Sequence, residues 1–173
     1  AEVEQGPKAA LSFLPGGTLA QHLEHFVLPG NTQRENLIAA LQVLRHHKYV
    51  RPLIVVGLGY EFNTASVAEF VDIPDLEEQS GYDVRRVDHT LTGQAREFVK
   101  IKQQFDTPSN GPMAMLCLGM EPAFLVGTDL GHSDSFISVG KVTPALLTQA
   151  FGRITRPRAG RDGRAVEFIK LSS

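Results

Sequence analysis

The sequence predicts an α/β fold in which helices cover both faces of a mostly parallel central sheet. The first indication is the continuous apolar run at residues 53–56, because a strand buried on both faces shows no alternation of polar and apolar side chains. The second is the helical repeat of apolar residues just before it, at residues 37–44. The third is that strand-like and helix-like segments go on alternating along the chain, which is typical of β-α-β units.

The helix before the first strand is the best marked of the predicted elements. Thr32 is followed three residues later by Glu35, which is the pattern of a capping box, and the helix runs to the basic residues 45–48. A shorter helix at 18–27 precedes it and ends at a Pro-Gly pair. After the first strand we expect a short helix at 64–70 and an acidic loop at 72–79. Strands follow at 83–88 and 113–118, with a helix at 93–105 between them. The last predicted elements are a short strand at Phe136 and Ile137, the arginine-bearing helix described below, and a closing strand at 166–171.

Length and composition indicate one globular domain with an additional N-terminal segment. The 173 residues are 42% hydrophobic and 21% charged, which is ordinary for a domain with a buried core. We assign residues 1–30 to an extension with one helix and residues 31–173 to the domain. No run is apolar for long enough to span a membrane, so we expect no membrane contact.

The single cysteine and the acidic start of the chain predict an intracellular protein. Cys117 has no partner for a disulfide within the chain, and its apolar surroundings in sequence predict a buried strand thiol. Glu2 and Glu4 stand where a secretory signal would carry basic residues. We therefore expect a nuclear, cytoplasmic or viral protein that is not secreted.

Two arginines near the C-terminus carry the strongest functional signal. Arg153 and Arg156 are three residues apart, a spacing that puts both side chains on one face of a helix. A guanidinium group is always charged and presents a planar fork of donors that suits phosphate oxygens. Gln149 and Gly152 belong to the same segment, and a turn that begins at Gly127 lies upstream. This combination predicts phosphate chemistry.

The order of glycine turn, strand, arginine helix and closing strand resembles the C-terminal RecA-like lobe of a superfamily 2 helicase, closest to the Swi/Snf-type DNA translocases. That lobe carries a G-x-D/N-L turn, a strand and then a Q-x-x-G-R-x-x-R helix. Here the two motifs read GTDL at 127–130 and QAFGRITR at 149–156, and the resemblance extends over residues 31–171. It implies a RecA-like three-layer sandwich. The chain departs from the family at 119–126, where the approach to the glycine turn is longer and poorer in glycine.

The resemblance implies a nucleotide site shared between two lobes. ATP with Mg²⁺ would lie in a cleft between this lobe and an N-terminal RecA-like lobe, in the same or another chain. The chain has no G-x-x-x-x-G-K-S/T loop and no Asp-Glu pair on a strand, so we expect no metal held by this chain alone. Arg153 and Arg156 would be arginine fingers, which stabilise charge that develops on the terminal phosphate. Gln149, Gly152, Gly127 and Asp129 would lie at the nucleotide, and Gly57, Gly59, His89, Thr90 and Thr128 would face a DNA or RNA track.

The charge distribution is uneven although the total is small. A net charge of −2 gives no overall attraction to nucleic acid. Five arginines nevertheless fall within residues 153–164 beside a single acidic residue, so one end of the chain is basic. This end could serve a nucleotide, a nucleic-acid backbone or both.

Other functions fit parts of the sequence. An isolated lobe of this kind could be a non-catalytic module that binds nucleic acid or protein. Gly57 and Gly59 after the first strand also suggest a Rossmann-like nucleotide- or SAM-binding enzyme, but Phe62 stands where the dinucleotide fingerprint needs its third glycine. Residues 131–135 contain the Ser, His and Asp of a hydrolytic triad, which neighbours in sequence seldom form. His22, His25, His46 and His47 lack carboxylate or cysteine partners at metal-ligand spacing, so we expect them at solvated helix positions.

Overall fold

The computed structural model describes residues 32–56, 70, 72–88, 95–107, 110–118, 131–140, 149 and 167–171. Within these ranges the chain forms the helices α1 (Gln33–His46), α2 (Ile73–Ser80) and α3 (Ala95–Asp106). It also forms the strands β1 (Pro52–Val56), β2 (Asp83–Asp88), β3 (Met113–Leu118), β4 (Ser135–Val139) and β5 (Glu167–Leu171). The predicted helix at 18–27 lies outside the described residues, as does the one at 64–70 except for the buried Phe70.

The described strands form one sheet in the order β2-β3-β1-β4-β5, and every neighbouring pair is parallel. The chain moves outward from β1 to β2, returns to β3 beside β1, and then crosses to β4 and β5 on the other side. Crossovers between parallel strands are right-handed, so this reversal of direction at β2 places α2 on one face of the sheet and α3 on the other. The predicted α/β fold with a parallel sheet and helices on both faces is confirmed.

The buried side chains of the sheet divide into the same two layers. Ile54 and Val56 belong to a core cluster that also contains the inner faces of α1 and α2. Leu53 and Val55 alternate with them and therefore point to the opposite face, where they are equally buried. Phe105 of α3 is buried as well. Burial of β1 on both faces explains why its sequence is a continuous apolar run.

Helix α1 begins as the sequence predicts. The Thr32 side chain accepts a hydrogen bond from the Glu35 amide at 3.1 Å, and the Glu35 carboxylate accepts one from the Thr32 amide at 3.1 Å. These two bonds form the predicted capping box. The apolar stripe then places Leu37, Leu41 and Leu44 in the core.

The acidic segment at 72–79 is helix α2, so the prediction of a loop there was wrong. The Asp72 side chain caps this helix by accepting a hydrogen bond from the Asp75 amide at 3.3 Å. Gly81 ends it in the left-handed region with φ 79°. Leu76 is buried in the core and holds the helix against the sheet. The N-cap at Asp72, the C-terminal glycine at position 81 and the burial of Leu76 therefore stabilise this helix in spite of its high density of charge.

Several polar contacts connect α2 with its neighbours, including a bond from the Gln42 side chain of α1 to the Gln79 carbonyl at 2.9 Å. Arg34 of α1 pairs with Asp75, and this hydrogen bond is the main reason why the pKa of the Asp75 carboxyl lies below its ordinary value. The Glu77 carboxylate accepts a hydrogen bond from the Val84 backbone amide at 3.0 Å. Val84 belongs to β2, which is an edge strand among the described strands.

Arg51 occupies a buried position at the amino edge of the sheet, directly before β1. All five N–H donors of its guanidinium group are directed at backbone carbonyl oxygens. Two of these carbonyls belong to Phe105 and Thr107 at the end of α3, and the others belong to Val50, Asn110 and Gly111, the last two in the turn before β3. Arg51 therefore caps α3 from another part of the chain.

Burial lowers the pKa of Arg51 below its ordinary value, and the charges of Asp134 and Asp106 oppose this shift. The guanidinium group stays charged, because arginine is not deprotonated in proteins. The Asp134 carboxylate also accepts hydrogen bonds from the backbone amides of Val50 at 2.7 Å and Arg51 at 2.9 Å. One buried cation and one carboxylate thus join α3, β1 and β4.

We expect Arg51→Lys to lower the free energy of unfolding by about 3 kcal/mol. Lysine has three donors and cannot satisfy all five carbonyls, and each buried acceptor left without a partner costs about 1–3 kcal/mol. Urea unfolding followed by circular dichroism measures this difference. The matched control is Arg85→Lys, since Arg85 is a partly exposed arginine that bonds to Gln104 at 3.2 Å. It should change stability by less than about 0.5 kcal/mol, and equal effects of the two variants would contradict the assignment.

We expect the thiol of Cys117 to be unreactive in the folded protein at pH 8. Cys117 is fully buried in β3, and burial raises the pKa of its thiol far above the ordinary value. Only the thiolate attacks a disulfide reagent, so reaction with dithionitrobenzoate should require unfolding in urea. Reaction at the rate of a small free thiol without denaturant would contradict the burial of β3.

Candidate functional site

The carboxyl ends of the strands form the edge at which the sequence predicts a site. Val56, the last residue of β1, pairs in register with Leu118 of β3 and Val139 of β4. Asp88 of β2 pairs with Leu118, and Leu171 of β5 pairs with Val139. All five described strands therefore end at one level. In open α/β sheets ligands bind beyond the carboxyl ends of the strands, and we call this side the carboxyl edge.

Two of the predicted track segments follow directly from strands that reach this edge. Gly57 is the next residue after Val56 of β1, and His89 is the next residue after Asp88 of β2. Strand β3 lies between these two strands, and it also ends at the carboxyl edge. The two strands that precede these segments therefore end on one side of the sheet.

Gly140 is the described residue with the clearest backbone requirement at the carboxyl edge. It follows β4 with φ 87°, a conformation that side-chain-bearing residues rarely adopt. Its amide donates a hydrogen bond to the Leu171 carbonyl of β5 at 2.9 Å. The connection that carries the arginine motif therefore leaves β4 at the carboxyl edge and ends at Glu167, which is paired with Ser135 at the other edge.

Of the predicted site residues, the structure describes Gln149, which is helical and exposed. The rest of the helix predicted for the arginine motif lies outside the described residues. The other predicted positions lie outside the described residues and remain predictions: Arg153, Arg156, Gly152, Gly127, Asp129, Thr128, Gly57, Gly59, His89 and Thr90.

The structure assigns a structural role to the segment that resembles a hydrolytic triad in composition. The Asp134 carboxylate accepts hydrogen bonds from the amides of Val50 and Arg51 and from the Ser135 hydroxyl at 3.1 Å. His132 is exposed, and the segment lies at the amino edge, opposite the carboxyl edge. Asp134 therefore orients backbone amides of β1 and does not serve a histidine.

Neither a metal cluster nor a membrane helix occurs among the described residues. No group of three or more His, Cys, Asp or Glu side chains in these ranges could hold a metal ion. His46 and His47 pack against each other with ring centroids 5.3 Å apart, in an edge-to-face arrangement. No helix in the same ranges has the length and the apolar character needed to cross a membrane.

Sequence reasoning missed Gly140 and the Arg51–Asp134 network. The position of Gly140 right after an apolar strand is a signal that could have been noticed, because glycine often marks a change of direction there. The network gives no comparable signal, since its members are up to 83 residues apart in the chain.

The described fold agrees with a solved structure, the crystal structure of the C-terminal part of Fun30 ATPase domain. The TM-score is 0.55 and the sequence identity is 15%, so the likeness concerns the fold. It covers 99% of this chain and 49% of that one, which means that this chain spans about half the length of that structure. The predicted RecA-like sandwich is thereby confirmed, and the fold resembles that of the C-terminal part of an ATPase domain. No family model and no curated protein sequence matches the chain.

We expect Gly140→Ala to lower the free energy of unfolding by about 1–2 kcal/mol, because a side chain at a positive φ is strained even where space is open. A Cβ at Gly140 would meet no atom within 4 Å, so a change in stability would come from the backbone strain and not from a steric clash. Gly111→Ala is the matched control: the site is equally open, and Gly111 is not among the positive-φ glycines. Its stability should stay within about 0.5 kcal/mol of the parent in urea unfolding. If Gly140→Ala left the free energy of unfolding equally unchanged, the positive φ assigned to the turn at the end of β4 would be contradicted.

Proposed function

We propose that this chain is the second lobe of an ATP-dependent nucleic-acid helicase or translocase. It supplies two arginine fingers and part of the nucleic-acid track, and it acts inside the cell. The observation that carries the proposal is the parallel sheet whose strands end at one edge, combined with the QAFGRITR motif in the connection that leaves this edge after Gly140. The likeness in fold to the C-terminal part of an ATPase domain supports it.

In this proposal the nucleotide site is divided between two lobes. An N-terminal RecA-like lobe, in the same or another chain, holds the triphosphate and Mg²⁺, because this chain has no G-x-x-x-x-G-K-S/T loop. The metal neutralises charge on the phosphate oxygens. This lobe closes the cleft with its carboxyl edge. ATP turnover then depends on the distance between the two lobes.

Arg153 and Arg156 contact the terminal phosphate in the closed cleft. Each guanidinium group donates hydrogen bonds to the equatorial oxygens, on which negative charge builds up in the transition state. Gln149 lies one helical turn before Arg153, and its exposed, helical state leaves its amide available to the nucleotide or to a neighbouring motif. Gly152 has no side chain that would keep the helix away from the cleft.

The glycine turn connects the nucleotide to the nucleic acid. Gly127 and Asp129 face the nucleotide side, where backbone amides of a turn can bind a phosphate. Thr128 contacts the nucleic-acid backbone together with the residues that follow β1 and β2, namely Gly57, Gly59, His89 and Thr90. Backbone contacts of this kind carry no base specificity, so either DNA or RNA can occupy the track.

The test is ATP hydrolysis in the presence of duplex DNA or RNA. It compares this chain alone, the same chain together with an N-terminal lobe in its natural full-length protein, and that protein carrying Arg156→Ala. We expect activity in the full-length protein only, and a loss of about 10³-fold in kcat for Arg156→Ala, as is usual for an arginine finger. Arg161→Ala is the matched control, since it removes an arginine of the same basic end but outside the motif.

The outcomes separate the two candidate functions. Equal activity of Arg156→Ala and Arg161→Ala would exclude the arginine-finger role. Absence of ATP hydrolysis in every form, with nucleic-acid binding retained without nucleotide, would mean that the lobe is a non-catalytic binding module. The five arginines within residues 153–164 would then serve the nucleic acid alone.

A further inference from the structure

We propose that the Asn110–Gly111 pair is a modification site, at which the asparagine side chain converts to aspartate and isoaspartate in water. Arg51 sets the rate of this reaction, because it holds the pair in an unreactive conformation. The site lies in the turn between α3 and β3, at the amino edge of the sheet, and is separate from the nucleotide and the track of the proposed function.

The pair meets the requirements of this reaction in sequence and in exposure. Asparagine is among the chemically labile residues of proteins. The chain has four asparagines, and Asn110 is the one that a glycine follows, so no side chain on the next residue hinders the approach of its backbone nitrogen. Asn110 and Gly111 are both exposed to water. A Cβ at Gly111 would meet no atom within 4 Å, so the surroundings of this residue are open.

The reaction closes a ring between the side chain and the main chain. The backbone nitrogen of Gly111 attacks the side-chain carbonyl carbon of Asn110, a new C–N bond forms, and the side-chain nitrogen leaves as ammonia with the proton of the Gly111 amide. Water then adds to either carbonyl carbon of the succinimide ring and breaks the bond from that carbon to the Gly111 nitrogen. Attack at the side-chain carbon gives aspartate, and attack at the main-chain carbon gives isoaspartate. One water is consumed, one ammonia is released, and nothing is oxidised or reduced.

The native turn opposes ring closure because hydrogen bonds fix both reacting groups. The Asn110 side-chain amide donates to the Gln104 carbonyl at 2.9 Å. The Arg51 guanidinium group donates to the carbonyls on either side of the reacting nitrogen, that of Asn110 at 2.9 Å and that of Gly111 at 2.8 Å. The peptide group that contains this nitrogen must break these bonds before it can turn towards the side chain. The reaction therefore proceeds only when the turn opens locally.

Both products weaken the turn from which they form. Aspartate has no donor for the Gln104 carbonyl, and it brings a negative charge to the carboxyl end of α3, where the helix dipole disfavours anions. Isoaspartate adds a methylene group to the main chain, which displaces the following carbonyls relative to the Thr107 carbonyl that Arg51 also binds. The modification thus loosens the attachment of α3 to the start of β3, and it records how long the turn has been open.

The test follows conversion of the chain in mildly alkaline buffer by peptide mapping and mass spectrometry. We expect the amide-to-acid change at Asn110 well before the other three asparagines. Arg51→Lys should speed this change about tenfold, because lysine leaves at least one carbonyl of the turn without a donor. Circular dichroism establishes beforehand that this variant is folded. Gly111→Ala, which is expected to keep the parent stability, should nearly abolish conversion in the native state and in urea alike.

Two comparisons separate local protection from overall stability. The parent chain should convert at least about tenfold faster in urea than in the native state at the same pH, which tests the protection even if Arg51→Lys does not fold. Gly140→Ala, which is strained at the other edge of the sheet, should convert at the parent rate. The proposal is overturned if the native and unfolded parent convert equally, if folded Arg51→Lys keeps the parent rate, if Gly140→Ala converts as fast as Arg51→Lys, or if Gly111→Ala converts as fast as the parent.

The consequence of the modification is tested with Asn110→Asp, which reproduces one product. Loss of the bond to the Gln104 carbonyl should lower Tm by about 2–4 °C. The matched control is Gln103→Glu, an amide-to-acid change at an exposed position of α3, which adds the same charge and keeps that bond. It should lower Tm by less, and equal decreases would contradict the role of the Asn110 side chain in holding the turn.

Discussion

The geometry of the candidate site depends on a buried cation at the opposite side of the sheet. Arg51 binds carbonyls of α3 and of the turn before β3, and Asp134 holds the amides that lead into β1. The Val50 and Arg51 carbonyls accept hydrogen bonds from the amides of Met113 and Asp134, so the starts of β1, β3 and β4 are aligned by one polar cluster. Parallel strands that start at one level and have similar lengths also end at one level. The amino edge therefore determines where the carboxyl edge presents its loops.

This arrangement separates the residues that hold the fold together from those available for chemistry. The amino edge is occupied by polar hydrogen bonds and by capped helix ends, whereas the carboxyl edge is where the described strands end, and segments that follow strands often carry function. In the proposed function this lobe brings cationic donors, whereas its sequence has no G-x-x-x-x-G-K-S/T phosphate-binding loop. In the proposed function, its contribution to the reaction depends on how it docks on a second lobe.

Sequence alone predicts what is encoded locally. The apolar runs of β1 and β3 and the capping box at Thr32 lie where the pattern puts them, since each depends on residues within one element. Helix α2 was missed because its acidic residues outnumber the single buried Leu76, although its cap and stop signals are both present. The bonds of Arg51 reach residues 54 to 60 positions away, and no local pattern records them. For the site, the motif predicts which side chains matter, while only the sheet order shows at which edge the described strands end.

The bond between Glu77 and the Val84 amide has a consequence for the behaviour of the protein in concentrated solution. An outer strand with unpaired amides is a template on which another extended chain can add, and this is a common route to aggregation. Here a side chain from the preceding helix occupies such an amide on β2. The neighbouring charges of Asp83 and Arg85 make the same border unattractive to apolar strands. One amide of β2, an edge strand among the described strands, is thus occupied by a side chain of its own chain, which removes one site at which another extended chain could pair.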